Sequence, residues 1–169
     1  MSDASRALLD DLSRVLVRDL DAVSREVAAY ADDAGPWRTM PGMGNCGGTL
    51  VLHLVGNVRH FVGAVLGSTG YVRDRELEFS RRDVPRDELQ VQLRLTIVDV
   101  RATLAACDPS LLDGQFPVAV RDRHLTTRAF LLHLATHLTY HLGQLDAHRR
   151  IVTGDATGID AVAIAPLIA

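Results

Sequence analysis

The sequence predicts an all-α fold: a four-helix bundle with long loops and a short C-terminal tail. Two observations carry this. Four stretches repeat apolar residues every three to four positions over four turns or more, as a helix with one buried face requires. Between them lie prolines, glycines and polar runs that interrupt the pattern. Four such helices bury their faces most simply against one another, and the 169 residues favour one domain spanning 1–169.

The first helix is expected over residues 4–32, where Leu8, Leu12, Val15, Leu16, Leu20, Val23 and Val27 mark an apolar face. Pro36, Pro41 and Gly42, Gly44, Gly47 and Gly48 then break the pattern. The second is expected over 49–66, with Leu54, Val55, Val58, Phe61, Val62 and Val65 on its apolar face. A polar, arginine-rich connection follows, Tyr71-Val-Arg73-Asp-Arg75-Glu-Leu-Glu78-Phe79. Pro85 suits the first turn of a third helix, which runs to Ala106 and stops at Asp108-Pro109. Phe116 to Val120 reads as a short extended piece. Thr126 or Thr127 caps a fourth helix that ends near Ile151. The Ala-, Ile- and Gly-rich tail suits a short helix or a contact in an oligomer.

Composition excludes several classes. Hydrophobic residues make up 47% and charged residues 23%, which rules out a disordered chain. All 18 basic residues are arginine, the net charge is −3, and no basic stripe with interleaved aromatics occurs, so nucleic acid is not an expected partner. No unbroken apolar run reaches the ~18 residues of a spanning helix, so neither is a membrane. The N-terminus lacks the layout of a signal peptide, which leaves the cytoplasm as the expected location. Cys46 and Cys107 form no disulfide framework there.

The chemistry lies in His137-Leu-Thr-Tyr-His141-Leu-Gly-Gln144. Histidines four apart share a helix face, with Cβ atoms roughly 5–6 Å apart, which suits two imidazoles converging on one metal ion. At 3.6 residues per turn, His141 falls within the apolar face of Phe130, Leu134, Leu138 and Leu145, and His137 and Gln144 fall at its edge. His133 lies further out. On the second helix His53, Asn57 and His60 form a polar stripe bordered by Gly56 and Gly63, as where a helix lines a pocket. His53 is the preferred third ligand and His60 the alternative, while Asn57 suits orienting a ligand or a bound water. Three nitrogen ligands with one position left open make a catalytic-type site. The competing reading is that these histidines are packed core residues. His60, His124, His133 and His148 fit that reading more than the other three, with His133 and His148 also candidates for the cleft. There is no Glu after His137, so the zinc-protease HExxH pattern is absent.

With His53 in Leu50-Val-Leu-His53-Leu-Val-Gly56-Asn57 and the HxxxHxGQ run from His137 to Gln144, the chain resembles the DinB superfamily of bacterial four-helix proteins over roughly residues 5–152. Gly56-Asn57-Val-Arg59 and the segment 73–79 look like one uncharacterised subgroup. The resemblance implies a divalent metal, nickel, zinc or iron, held by His53, His137 and His141, and a homodimer. It implies a metal-dependent enzyme acting on a small molecule, either a transferase using a low-molecular-weight thiol or a hydrolase. The alternative is a non-catalytic metal-binding or ligand-binding stress-response protein. A metal on three histidines can activate a water or a thiol, so the ligands do not choose between these reactions.

Around the ligands, Glu78 and Asp74 are candidates for a general base or for a carboxylate behind a ligand, against a plain ion pair with Arg73 or Arg75. Arg73 and Arg75 could fork onto a substrate carboxylate, although surface solubility explains them as well. Asn57, His60, His133 and Gln144 complete the expected pocket. Tyr140 reads as packing.

Overall fold

The computed structural model describes residues 2–119 and 122–168, and these are helical apart from turns and loops, with no β-strand among them. Helix α1 (Ser2–Ala28) turns Leu9, Leu12, Leu16, Leu20, Val23 and Val27 inward. It stops four residues short of the expected end. Asp32 instead accepts a hydrogen bond from the Gly35 N–H at 2.7 Å and so supports the 3₁₀ turn Gly35–Trp37. The Trp37 indole N–H donates to the Val84 carbonyl at 3.1 Å, tying that loop to the start of a later helix.

Helix α2 (Gly47–Val58) is buried along its whole length and continues without a break as a π-helical segment, Arg59–Leu66. The two together, Gly47–Leu66, are long and apolar enough to cross a bilayer, which corrects the expectation that no segment reaches that length. Sixty-one per cent of its apolar 18-residue window is buried inside the protein, so core packing accounts for its composition.

The arginine-rich connection is not wholly loop. It contains a short helix, α3 (Arg75–Ser80), capped by the Asp74 side chain on the Leu77 N–H at 2.8 Å. Helix α4 (Arg86–Ala106) starts directly after Pro85 and ends before Asp108-Pro109. Instead of an extended strand, residues 115–116 make one isolated bridge to the segment before the last helix, with Phe116 N–H on the Leu125 carbonyl at 2.8 Å. Val120, the end of the expected extended piece, lies outside the described residues.

Helix α5 (Thr127–Thr153) is capped by Thr126 on the Ala129 N–H at 3.2 Å. It ends at Gly154, whose φ of +70° is the left-handed turn that closes many helices. Among the described residues of the tail beyond it, the one helical piece is the 3₁₀ turn Ala165–Leu167. Helix α1 packs on α4 and α5, and α2 packs on α4, α5 and α3. The buried apolar side chains of these helices form one continuous cluster. Two consequences matter for the site. The face of α5 that carries the HxxxH pair meets α2, and α3 lays its own side chains against the other flank of α2.

Candidate metal centre

His53 on α2 and His137 and His141 on α5 point their Nε2 atoms at a common centre. His137 Nε2 lies 3.4 Å from His53 Nε2 and 3.1 Å from His141 Nε2. Within this group each residue offers a nitrogen within 4.8 Å of the others, so the three could hold a metal ion. The i, i+4 spacing on α5 stacks His137 and His141 on successive turns, and α2 brings His53 from 84 residues away.

The opposite edges of the rings show where the protons sit. His53 Nδ1 faces Glu78 Oε2 at 3.1 Å, and a carboxylate can only accept, so Nδ1 carries the hydrogen. His141 Nδ1 faces Gln144 Oε1 at 2.6 Å, while the Gln144 amide nitrogen donates to the Tyr140 hydroxyl at 3.2 Å. That arrangement makes Gln144 Oε1 the acceptor and His141 Nδ1 the donor. His137 Nδ1 is buried with no partner among the described residues, so that ring finds contacts for its nitrogens only at Nε2. With Nδ1 of His53 and His141 turned to their acceptors, their Nε2 atoms are left facing His137 Nε2, an arrangement that a cation or a shared proton would satisfy. Two donors on a tetrahedral ion at about 2.0–2.1 Å are spaced by about 3.3–3.4 Å, close to both observed separations. The donor set fits a metal, and an all-imidazole set suits zinc, nickel, iron or copper.

Electrostatics agree with this protonation pattern. Burial, followed by the neighbouring His141, His53, His133 and Arg73, pushes His137 down to about 4. Burial also lowers His141, against its hydrogen bond to Gln144, and His53 adds to the lowering. Both rings are therefore neutral near pH 7, the state a metal ligand requires. For Glu78, burial favours the neutral acid, but the hydrogen bonds from Arg73 and His53 outweigh it and keep the carboxyl below its ordinary range.

Glu78 holds its place through close packing. Arg73 donates to its two oxygens at 2.6 and 2.9 Å. Gly56 on α2 leaves the space in which the carboxylate lies, because a β-carbon there would collide with Glu78 Oε1. Both expectations for Glu78 meet in the geometry: it forms the ion pair with Arg73, and that pair holds its carboxylate behind His53. Asp74 is occupied in capping α3.

A pocket of about 500 Å³ opens beside the triangle and is lined by His53, Asn57, His133 and His137, among others. Asn57 is buried and its Oδ1 has no partner among the described residues. His133 is exposed, with its ring 5.8 Å from that of His137, and it reaches the pocket without joining the triangle. His60 is not brought in. It belongs to neither the histidine triangle nor the pocket lining, and its ring packs edge-on against Phe61 at 4.7 Å at the start of the π-helical segment.

The remaining histidine of α5, His148, is fully buried and held at both nitrogens. It meets the Tyr30 hydroxyl at 2.6 Å and the Arg38 carbonyl at 2.8 Å, so it is structural. Tyr140, which reads in the sequence as packing, lays its ring edge-on to that of His141 at 5.2 Å. It is 64% exposed and supports Gln144. Sequence reasoning also missed what Gly56 does, since the signal is a contact between residues 22 positions apart that periodicity cannot register. Cys46 and Cys107 lie in neither the triangle nor the pocket. Comparison with protein families, curated proteins and solved structures found no match to this chain.

Proposed function

We propose that this chain is a divalent-metal-dependent enzyme of the DinB type acting on a small molecule. It would transfer a low-molecular-weight thiol to an electrophile or hydrolyse its substrate. The observation that carries the reading is the approach of the His53 and His141 Nε2 atoms to His137 Nε2 at 3.4 and 3.1 Å, with the Nδ1–H groups of His53 and His141 anchored on Glu78 and Gln144. The four long helices around that triangle are compatible with the DinB-type bundle.

His53, His137 and His141 would hold the ion, nickel, zinc or iron. When bound, it supplies a Lewis acid that makes a thiol or a water more acidic at neutral pH. The chain's own residues do the rest. Glu78, clamped by Arg73, fixes the tautomer and orientation of His53, and Gln144 does the same for His141. Three protein ligands leave a position for a reacting atom, and the pocket touching His53 and His137 is where a substrate would approach it. Phe61, Phe130 and Leu134 shield that pocket from water on one side, and Asn57 Oδ1 offers an acceptor for orienting a substrate.

The test is a turnover screen of metal-loaded protein beside the His137→Ala variant. One arm supplies a low-molecular-weight thiol with electrophilic acceptors, the other a panel of esters and amides. The proposal expects turnover in one arm that is lost in the variant. Tight metal binding without turnover in either arm would overturn the enzyme reading and favour a non-catalytic metal-binding or ligand-binding protein.

A further inference from the structure

The pocket beside the histidines carries a charge pattern that the rest of the chain does not. The sequence has more acidic residues than basic ones, 21 against 18. The lining of this pocket has three arginines, Arg73, Arg75 and Arg123, and no Asp or Glu. Arg73 is offset by its two hydrogen bonds to Glu78. Arg75, at the start of α3, lays its guanidinium over the Phe79 ring at 5.1 Å. Neither Arg75 nor Arg123 enters an ion pair among the described residues.

Both arginines are placed by structure. Arg75 leads the helix that carries Glu78 to His53. Arg123 stands two residues before Leu125, whose carbonyl is held by the Phe116 N–H at 2.8 Å, and the Thr127 N–H holds the Gly114 carbonyl at 2.9 Å. The two guanidinium groups therefore reach one pocket from independent elements. Phe61, Leu125, Phe130 and Leu134 supply an apolar wall, with Phe61 and Phe130 in edge-to-face contact at 4.9 Å. Its volume of about 500 Å³ lies within the range of small-molecule sites.

We infer that this pocket binds a small organic anion. Its carboxylate or phosphate is held by Arg75 and Arg123, where the planar guanidinium forks match an oxyanion. Its hydrocarbon or aromatic body lies against Phe61 and Phe130, and a hydrogen-bond donor on it meets Asn57 Oδ1. The reacting part of the molecule then lies beside His53 and His137. This assigns the substrate class for the metal-dependent reading and rests on that reading for its chemistry, but the anion site itself is built from residues that are not ligands.

Three probes with one body test it: phenylacetate, phenyl phosphate and the uncharged phenylacetamide. Binding is measured by calorimetry or by chemical-shift titration. The protein is wild type, Arg75→Gln and Arg123→Gln, each both metal-loaded and stripped with chelator, with metal content determined in parallel. Both arginines are exposed, so the substitutions leave the fold intact. The inference expects at least one anion to bind roughly tenfold or more tightly than the amide. Each variant should lose about tenfold of that affinity while binding the amide as wild type does, and the preference should persist in stripped protein. The tighter of the two anions identifies the head group. Equal binding of anions and amide, or variants that bind anions as wild type does, would overturn it. Metal uptake without anion preference would sink this inference alone, and anion preference without metal uptake would sink the metal reading alone.

Discussion

Gly56 and Glu78 share one space: a β-carbon on Gly56 would strike Glu78 Oε1 and lie 2.6 Å from its Cδ. The carboxylate cannot step aside freely, because Arg73 and His53 hold both of its oxygens. Gly56→Ala should therefore act as a site mutation although Gly56 is no ligand. Loss of a partner behind a metal-binding histidine costs about 10–100-fold in metal affinity, and both Gly56→Ala and Glu78→Ala should fall in that range. The double variant should bind no more weakly than Glu78→Ala alone, since the alanine at 56 then has nothing to displace. Competition against a chromophoric chelator measures all three.

Gln144 should behave as the counterpart on α5. Gln144→Ala leaves His141 Nδ1 without its acceptor and should loosen metal by about tenfold. Tyr140→Phe removes only an exposed hydroxyl and should change binding by less than ~0.5 kcal/mol. The same competition assay distinguishes the two.

His148 provides a contrast within the same helix. It is buried and bonded at both nitrogens, so Tyr30→Phe strands its Nδ1 and should cost about 1–3 kcal/mol in urea denaturation. Metal content should not change. A loss of metal in Tyr30→Phe would contradict the structural role given to His148.

The metal-free protein should weaken in acid in a defined window. Burial lowers His148, and burial with neighbouring charge lowers His137 to about 4. Above the ordinary histidine value of 6.5, neither the folded nor the unfolded chain protonates these rings, and they add no pH dependence. As pH falls below it, the unfolded chain takes up protons that the folded one refuses, so stability falls. For His137 the fall ends near pH 4, where the folded ring protonates too. Denaturation of chelator-treated protein at stepped pH between 7 and 4 measures it, and His137→Gln should flatten part of the slope.

Local signals made much of this arrangement readable beforehand. The His137–His141 pair follows from helix periodicity alone, and the polar stripe of His53 and Asn57 is visible on an otherwise apolar helix. Gln144 is three residues from His141, so its role is also local. What escaped is long-range or breaks regular geometry. His60 keeps the stripe's spacing on paper, yet it joins neither the histidine triangle nor the pocket lining and packs against Phe61. α3 is six residues of mixed charge, too short for periodicity to mark, yet it decides that Glu78 meets His53. Arg123 joins Arg75 only because the connection before α5 folds back on itself.

The central claim is that three imidazole nitrogens are arranged for one metal ion. The most direct measurement is elemental analysis of protein purified without a histidine tag, beside His53→Ala, His137→Ala and His141→Ala. The account predicts close to one divalent metal per chain, nickel, zinc or iron, lost in each variant. Wild-type protein that carries no metal and takes up none of these ions tightly would contradict it.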